Sequence, residues 1–363
     1  MKSWEIFRDV ADFKTTEQMC YFEWGYWPDT IKRWKQEGLG SIDKLREELG
    51  MAEVKGRGFN THICPVFDES EIIEETENTV IRREWNGAIV EQTKGPMSFP
   101  KFLEFPVKDR KSYYRWREER LNPNDPRRFQ DFEGEPLLDA QAVEMASCRD
   151  HIYWGAGFRD GFFGWPRELL GLERFMIMLF EDPQLIHEIQ RDHLEMIKTV
   201  YSQVLPKIDF DFMFIWEDMS YNKGMLISPD MVRRFMLPYY RKLINFYKSY
   251  GHTRFFVDSD GDVNELIPLL MSEGVNGMLP FEVAAGMDVV EIRKKYPGFV
   301  IFGGIDKREI AKGPDAIDRE LERVIPAMKQ TGGYFPTIDH HVSPDISLEN
   351  FKYYHRRLQQ YWS

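Results

Sequence analysis

The distribution of apolar and polar positions changes near residue 150. Beyond it, short apolar runs alternate with longer amphipathic segments. The runs at 152–157, 210–217, 254–258, 277–281, 299–303 and 334–338 are too short for helices and are bounded by Gly, Pro or Asp, so they predict strands. Between them, 166–180, 184–204, 229–250, 263–272 and 347–361 carry helical periodicity. Ser228-Pro229 supplies an N-cap and a first-turn proline for the third of these helices. Upstream, 20–26 reads as a strand and 29–49 as a helix. The stretch 79–94 reads as a hairpin: Asn86-Gly87 separates 81–85 from 88–92 and supplies the positive φ that a tight turn needs. Pro123, Pro126 and Pro136 mark 121–136 as a loop.

Strands alternating with helices define a parallel α/β fold. The spacing predicts a (β/α)8 TIM-type barrel with an N-terminal elaboration that contains the hairpin. Residues 1–363 are read as one barrel domain. Within it, 1–150 hold the first strand or strands plus the elaboration, and 151–363 form the regular portion. The length of 363 residues fits, since a barrel runs to about 250 before insertions.

Composition narrows the function. Asp and Glu total 60 against 48 Lys and Arg, a net charge of −12. That balance argues against nucleic acid or an anionic membrane as partner. No segment reads as a signal peptide or a membrane span. The cysteines, Cys20, Cys64 and Cys148, are too scattered for a disulfide framework or a thiolate metal site, so a reducing cytoplasm is expected. Aromatic residues make up 15% of the chain, which suits a pocket for a flat ligand, although a large barrel also uses aromatic filler.

In such a barrel, catalytic groups sit where strands end. The predicted strands run out into Glu23-Trp24-Gly25-Tyr26-Trp27, Phe158-Arg159-Asp160, Trp216-Glu217-Asp218, Asp258-Ser259-Asp260, Phe281-Glu282, Gly303-Gly304-Ile305-Asp306 and Asp339-His340-His341. Oxygen and imidazole donors converging without thiolates suit a divalent ion such as zinc, and Asp258, Asp260, Glu282 and His340 are the candidate ligands. A metal-free site would use such groups for proton transfer, with His340, Asp260 and Glu217 as candidate catalytic residues. A third reading is structural, because Asp-Ser-Asp-Gly is also turn and cap sequence. Tyr26, Trp27, Trp154, Phe162, Phe163 and Trp216 are the candidate walls for an aromatic substrate. His187, His193, His252 and His355 read as surface residues, and His62 and His151 stay open.

Several stretches resemble the uroporphyrinogen decarboxylase superfamily. They are Leu226-Ile227-Ser228-Pro229 with Phe235-Met236-Leu237-Pro238-Tyr239-Tyr240, Asp260-Gly261-Asp262-Val263, Phe302-Gly303-Gly304-Ile305-Asp306 and Pro344-Asp345-Ile346-Ser347. Their order from about Gly155 onward carries the resemblance, which implies a barrel with its site at the strand ends. The porphyrinogen branch has arginines after the first strand, where this chain has none, and a Tyr that falls near Phe162. Its early catalytic Asp has no counterpart near 60–65. The corrinoid-dependent methyltransferase branch holds zinc through a His-x-Cys pair, a later acid and a late Cys. Those positions fall on Asp258 and Asp260, Glu282 and His340. The resemblance therefore implies a methyltransferase component that moves a methyl group from a methoxylated aromatic to a corrinoid carried by a partner protein. The alternative is a carboxy-lyase acting on a carboxylated substrate, and a non-catalytic ligand-binding barrel is a third. Homodimerisation stays open.

Overall fold

The computed structural model describes residues 1–14, 16–56, 70–84, 86–94, 100–130, 135–155 and 161–362. The apolar runs form a seven-stranded parallel sheet in the order Val54–Gly56, Ile152–Gly155, Phe212–Trp216, Phe255–Asp258, Gly277–Leu279, Val300–Phe302, Tyr334–Phe335. Helices pack around its outer face, so both faces are covered and the strands read as continuous apolar runs. Side chains alternate between faces along each strand. Ile215, Val257, Met278 and Ile301 join the layer against the helices. Phe212, Phe214, Phe256, Phe302 and Phe335 point into the barrel.

The expected strand at 20–26 runs extended between the two edges of this sheet without joining a regular ladder. Tyr26 makes a single parallel bridge to Val342, and Ala52 N–H donates to the Tyr21 carbonyl. One physical reason is visible at Ile338, whose N–H donates to the buried Glu23 carboxylate at 3.0 Å instead of to a strand carbonyl. Cys20, Phe22 and Trp24 still alternate inward.

The helix Ser3–Ala11 closes the N-terminal end of the barrel. Phe7 is fully buried there, with its ring 4.6 Å from Phe335 and 5.3 Å from Phe212. Arg8 pairs with Asp211, which also accepts from Tyr153 N–H and from Arg149. Asp12 pairs with Arg254, just before the Phe255–Asp258 strand. The opposite end, where the strands finish, is the one left for a ligand.

Several expected helices divide. The segment 29–49 is two helices, Pro28–Gln36 and Ile42–Leu49. Gly38 lies past the end of the first at φ 98°, and Ser41 caps the second through Lys44 N–H. The helix expected at 166–180 breaks at Gly171 (φ 76°). The one at 229–250 breaks at Met236, since Pro238 has no N–H to continue it. The hairpin turns at Asn86-Gly87, with Gly87 at φ 87°, and it belongs to a larger antiparallel sheet of Glu71–Glu75, Thr79–Arg83, Ile89–Thr93 and Lys101–Glu104. That sheet leaves the barrel after Val54–Gly56 and returns before Ile152–Gly155. Trp85, His62 and Phe158-Arg159-Asp160 lie outside the described residues.

The histidines expected at the surface are mostly inside. His193 stacks on Trp165 at 4.1 Å, His355 lies beside Glu23, and both are fully buried, with His252 nearly so. His187 is partly buried against Phe235. An imidazole with an aromatic neighbour fills a helix–barrel interface as readily as a ring of carbon, and polarity alone misplaces it. No helix among the described residues is long and apolar enough to cross a membrane.

Phe7→Ala is expected to destabilise the protein by about 3–5 kcal/mol, because it empties the floor of the barrel. Urea unfolding of the two proteins measures this, and a change below about 1 kcal/mol would contradict the plug.

Candidate functional site

Three strand ends bring Asp260, Glu282 and His340 together. One ligand atom from each lies within 4.8 Å of the others, and His340 Nε2 is 3.4 Å from Asp260 Oδ2. Gly261 is required at this turn. Its φ is 81°, and a Cβ there would come within 2.7 Å of the Tyr221 backbone. The same residue orients Glu282 through its N–H, 3.1 Å from Oε2.

A second layer fixes these loops. Asp339 is fully buried and accepts from Val283 N–H at 2.9 Å and Lys307 N–H at 3.2 Å. It thereby joins the loops that carry Glu282, Lys307 and His340. The Lys307 ammonium lies 3.6 Å from Glu282 and 3.7 Å from Asp339. Lys307 was not singled out from the sequence. Its signal was its place directly after the strand-end run Gly303-Gly304-Ile305-Asp306.

Burial works against a charged imidazole at His340, but the Asp260 carboxylate outweighs it and holds the His340 pKa above its usual value. At His341, burial and then the neighbouring His340 push the pKa down. Trp27 covers both rings, stacked on His340 at 5.7 Å and edge-on to His341 at 5.3 Å. Gly25 makes room for His341, since a Cβ there would sit 2.8 Å from its Nε2.

One imidazole nitrogen and two carboxylate oxygens at this separation fit a divalent ion such as zinc or manganese after a small inward movement, because bonds to such an ion are about 2.0–2.2 Å long. Asp258 was expected among the ligands and does not join them. It ends its strand on the inner face, in register with Trp216 and Leu279. Burial, reinforced by Asp260, Asp218 and Glu282, pushes its pKa well above the usual carboxylate value.

Glu217, a candidate catalytic group, follows Trp216 and so points to the opposite, outer side. It is fully buried. It accepts from the N–H groups of Phe162, Phe163 and Gly164 at 2.8, 2.7 and 3.0 Å and from the Tyr240 hydroxyl at 2.5 Å. Its oxygens are spent on holding the start of the helix Gly164–Leu170, so it is a positioning residue.

The aromatic walls sort in the same way. Trp154 and Trp216 face the barrel interior and are partly buried there. Trp27 borders the metal-ligand candidates. Phe162 and Phe163 are fully buried between barrel and helices, against Tyr240 and Phe175. Tyr26 turns outward onto Trp34 and Phe351. These three are corrected from wall to core. Trp24 takes an inner position instead, 5.4 Å from Phe214.

The family model described as Uroporphyrinogen decarboxylase (URO-D) matches residues 157–361, more than half of the chain. The chain belongs to that family. Among solved structures, it is similar to a methyltransferase from Methanosarcina mazei over 100% of both chains, with 15% identity and a TM-score of 0.63. That likeness shows the shared fold. A B12-independent methionine synthase from Shewanella sp. W3-18-1 also matches, at 12% identity over 96% of this chain and 95% of that one, with a TM-score of 0.42. No curated protein matches.

Two measurements test the site. Calorimetric titration with Zn²⁺ or Mn²⁺ is expected to show one strong site. Asp260→Ala, Glu282→Ala and His340→Ala should each weaken it by more than roughly 100-fold, while Asp258→Ala stays within roughly 10-fold. Equal losses in all four would restore Asp258 to the ligand set. Separately, Glu217→Ala leaves three buried N–H groups without their acceptor and should cost at least about 3 kcal/mol in unfolding free energy.

Proposed function

We propose that this protein is the methyltransferase component of a corrinoid-dependent system. It takes a methyl group from a methoxylated aromatic compound and delivers it to a corrinoid carried by a partner protein. The observation that carries this reading is the Asp260–Glu282–His340 group placed over an aromatic barrel interior. Thiolate ligands suit activation of a thiol, whereas an oxygen-rich set suits an ether oxygen. A divalent ion held by Asp260, Glu282 and His340 would supply a Lewis acid for the departing oxygen.

The chain's own residues do the rest. Trp27, Trp154 and Trp216 offer flat faces for the ring. Trp27 also keeps His340 in place by stacking on it. The ether oxygen points to the ligand group, and the methyl group points out of the mouth, where an acceptor on another protein can reach it. When the methyl–oxygen bond breaks, its electron pair stays on oxygen. The Lys307 ammonium beside Glu282 adds positive charge on that side as the oxygen becomes anionic.

The test mixes the protein with a reduced corrinoid protein from the same gene cluster and a panel of methoxyarenes, and follows cobalt absorbance. Conversion with at least one methoxyarene is expected. His340→Ala should lower turnover more than substrate affinity. Trp216→Ala should mainly weaken binding, by about 1–3 kcal/mol, whereas Trp27→Ala should weaken binding and, by releasing His340, lower turnover as well. Uroporphyrinogen should give no coproporphyrinogen, because the segment 23–27 offers no Arg for its carboxylates. Release of carbon dioxide from a carboxylated substrate, with no change at cobalt, would replace this reading with the lyase.

A further inference from the structure

Among the described strand residues, the inner face of the barrel is apolar from its floor to the strand tops, with one exception. Above Phe7 lie Phe212, Phe214, Phe256, Phe302 and Phe335, and above these come Trp24, Trp154, Trp216 and Leu279. Asp258 sits in this upper layer. Its Cα pairs in register with Trp216 on one side and Leu279 on the other, and residues so paired share a face.

Three fully buried carboxylates elsewhere in the barrel are satisfied. Glu217 takes three N–H groups and a hydroxyl. Asp339 takes two N–H groups and a lysine. Asp211 takes an N–H and two arginines. Asp258 is different. Among the described residues its carboxyl has no hydrogen bond and no ion pair, and the charged groups that act on it are Asp260, Asp218 and Glu282, all acids. It also lies outside the metal-ligand group. A half-buried carboxyl left without a partner in an aromatic layer costs stability unless something else completes it. The residue is only partly buried, so that partner can come from a ligand.

We infer that Asp258 is a specificity-determining residue, which hydrogen-bonds a hydroxyl group on the aromatic ring held between the tryptophans. This rests on the reading that a methoxylated ring occupies the mouth, and it names the substituent that the ring must carry. A hydroxyl donates to a carboxylate and accepts from a carboxylic acid, so the pairing holds in either form of Asp258. A site built around such a bond rejects an analogue that lacks the hydroxyl, because the carboxyl is then covered and left unpaired.

The experiment measures binding to the full-length protein by quenching of tryptophan fluorescence, with 2-methoxyphenol and 1,2-dimethoxybenzene as probes. The unaltered protein should prefer the methoxyphenol by roughly 10-fold or more. Asp258→Ala should bind both alike, and Asp258→Asn, which keeps a hydrogen-bonding side chain, should retain part of the preference. The ligand-free Asp258→Ala protein should also melt higher than the unaltered one, since a partnerless carboxyl has been removed from an apolar layer. Equal binding of the two probes by the unaltered protein, or an undiminished preference in Asp258→Ala, would overturn the assignment of Asp258 while leaving the methyltransferase reading in place. Failure of either probe to bind the unaltered protein would instead remove the aromatic substrate, and the inference with it.

Discussion

Backbone N–H groups that leave the strand ladder inside a protein must find another acceptor. In this barrel, buried carboxylates fill that need at the mouth. Asp339 accepts from Val283 and Lys307, Glu217 from Phe162, Phe163 and Gly164, and Glu23 from Ile338. Each bond ties one loop to its neighbour, and the loops are what carry Glu282, Lys307 and His340. A carboxylate in such a role is costly to remove and leaves little capacity for chemistry.

This sorts a crowd of acids that looks uniform in the sequence. Acids that accept from backbone N–H in the interior are fasteners. Those whose oxygens turn to the mouth, Asp260 and Glu282, face each other and an imidazole. Like charges held so close repel, and a cation beside them relieves the repulsion. Lys307 supplies part of that charge at 3.6 Å from Glu282, and the proton that Asp260 favours on His340 supplies another part. A divalent ion held by Asp260, Glu282 and His340 would need the imidazole nitrogen free of that proton, so metal affinity and proton affinity would compete at one atom.

What the sequence makes legible follows from the same physics. The strands from Ile152–Gly155 to Tyr334–Phe335 stand out because both faces of a parallel sheet are buried. Placement of Asp260, Glu282 and His340 at strand ends follows directly, and they do meet. The face each residue takes after a strand ends is not written in periodicity. Trp216 points inward and Glu217 outward, so neighbours expected to share the site have separate roles. The alternation Cys20, Phe22, Trp24 breaks at Gly25, and Tyr26 and Trp27 then diverge, one into the helix layer and one onto His340. Phe162 and Phe163 follow a strand end but are drawn inward when their own N–H groups bind Glu217. Helix breaks at Gly171 and Met236 depend on single residues that amphipathic periodicity passes over.

The elaboration before residue 150 is tied to the same fastening. Val107 N–H donates to the Leu169 carbonyl at 3.0 Å, Asn86 donates to Glu168 at 3.1 Å, and a Cβ on Gly171 would strike the Phe105 ring at 2.3 Å. All three contacts fall on the helix Gly164–Leu170 or the residue that ends it. The N-terminus of that helix is held by Glu217, from the strand whose inner face carries Trp216. Arg167 on the same helix completes the connection, with its guanidinium 4.7 Å above the Trp216 ring and its N–H groups on Asp218. Asp218 is held there at φ 45°, a strained conformation for a residue with a Cβ, which persists only where its surroundings enforce it. One carboxylate therefore couples the position of the added sheet to a tryptophan on the barrel's inner face.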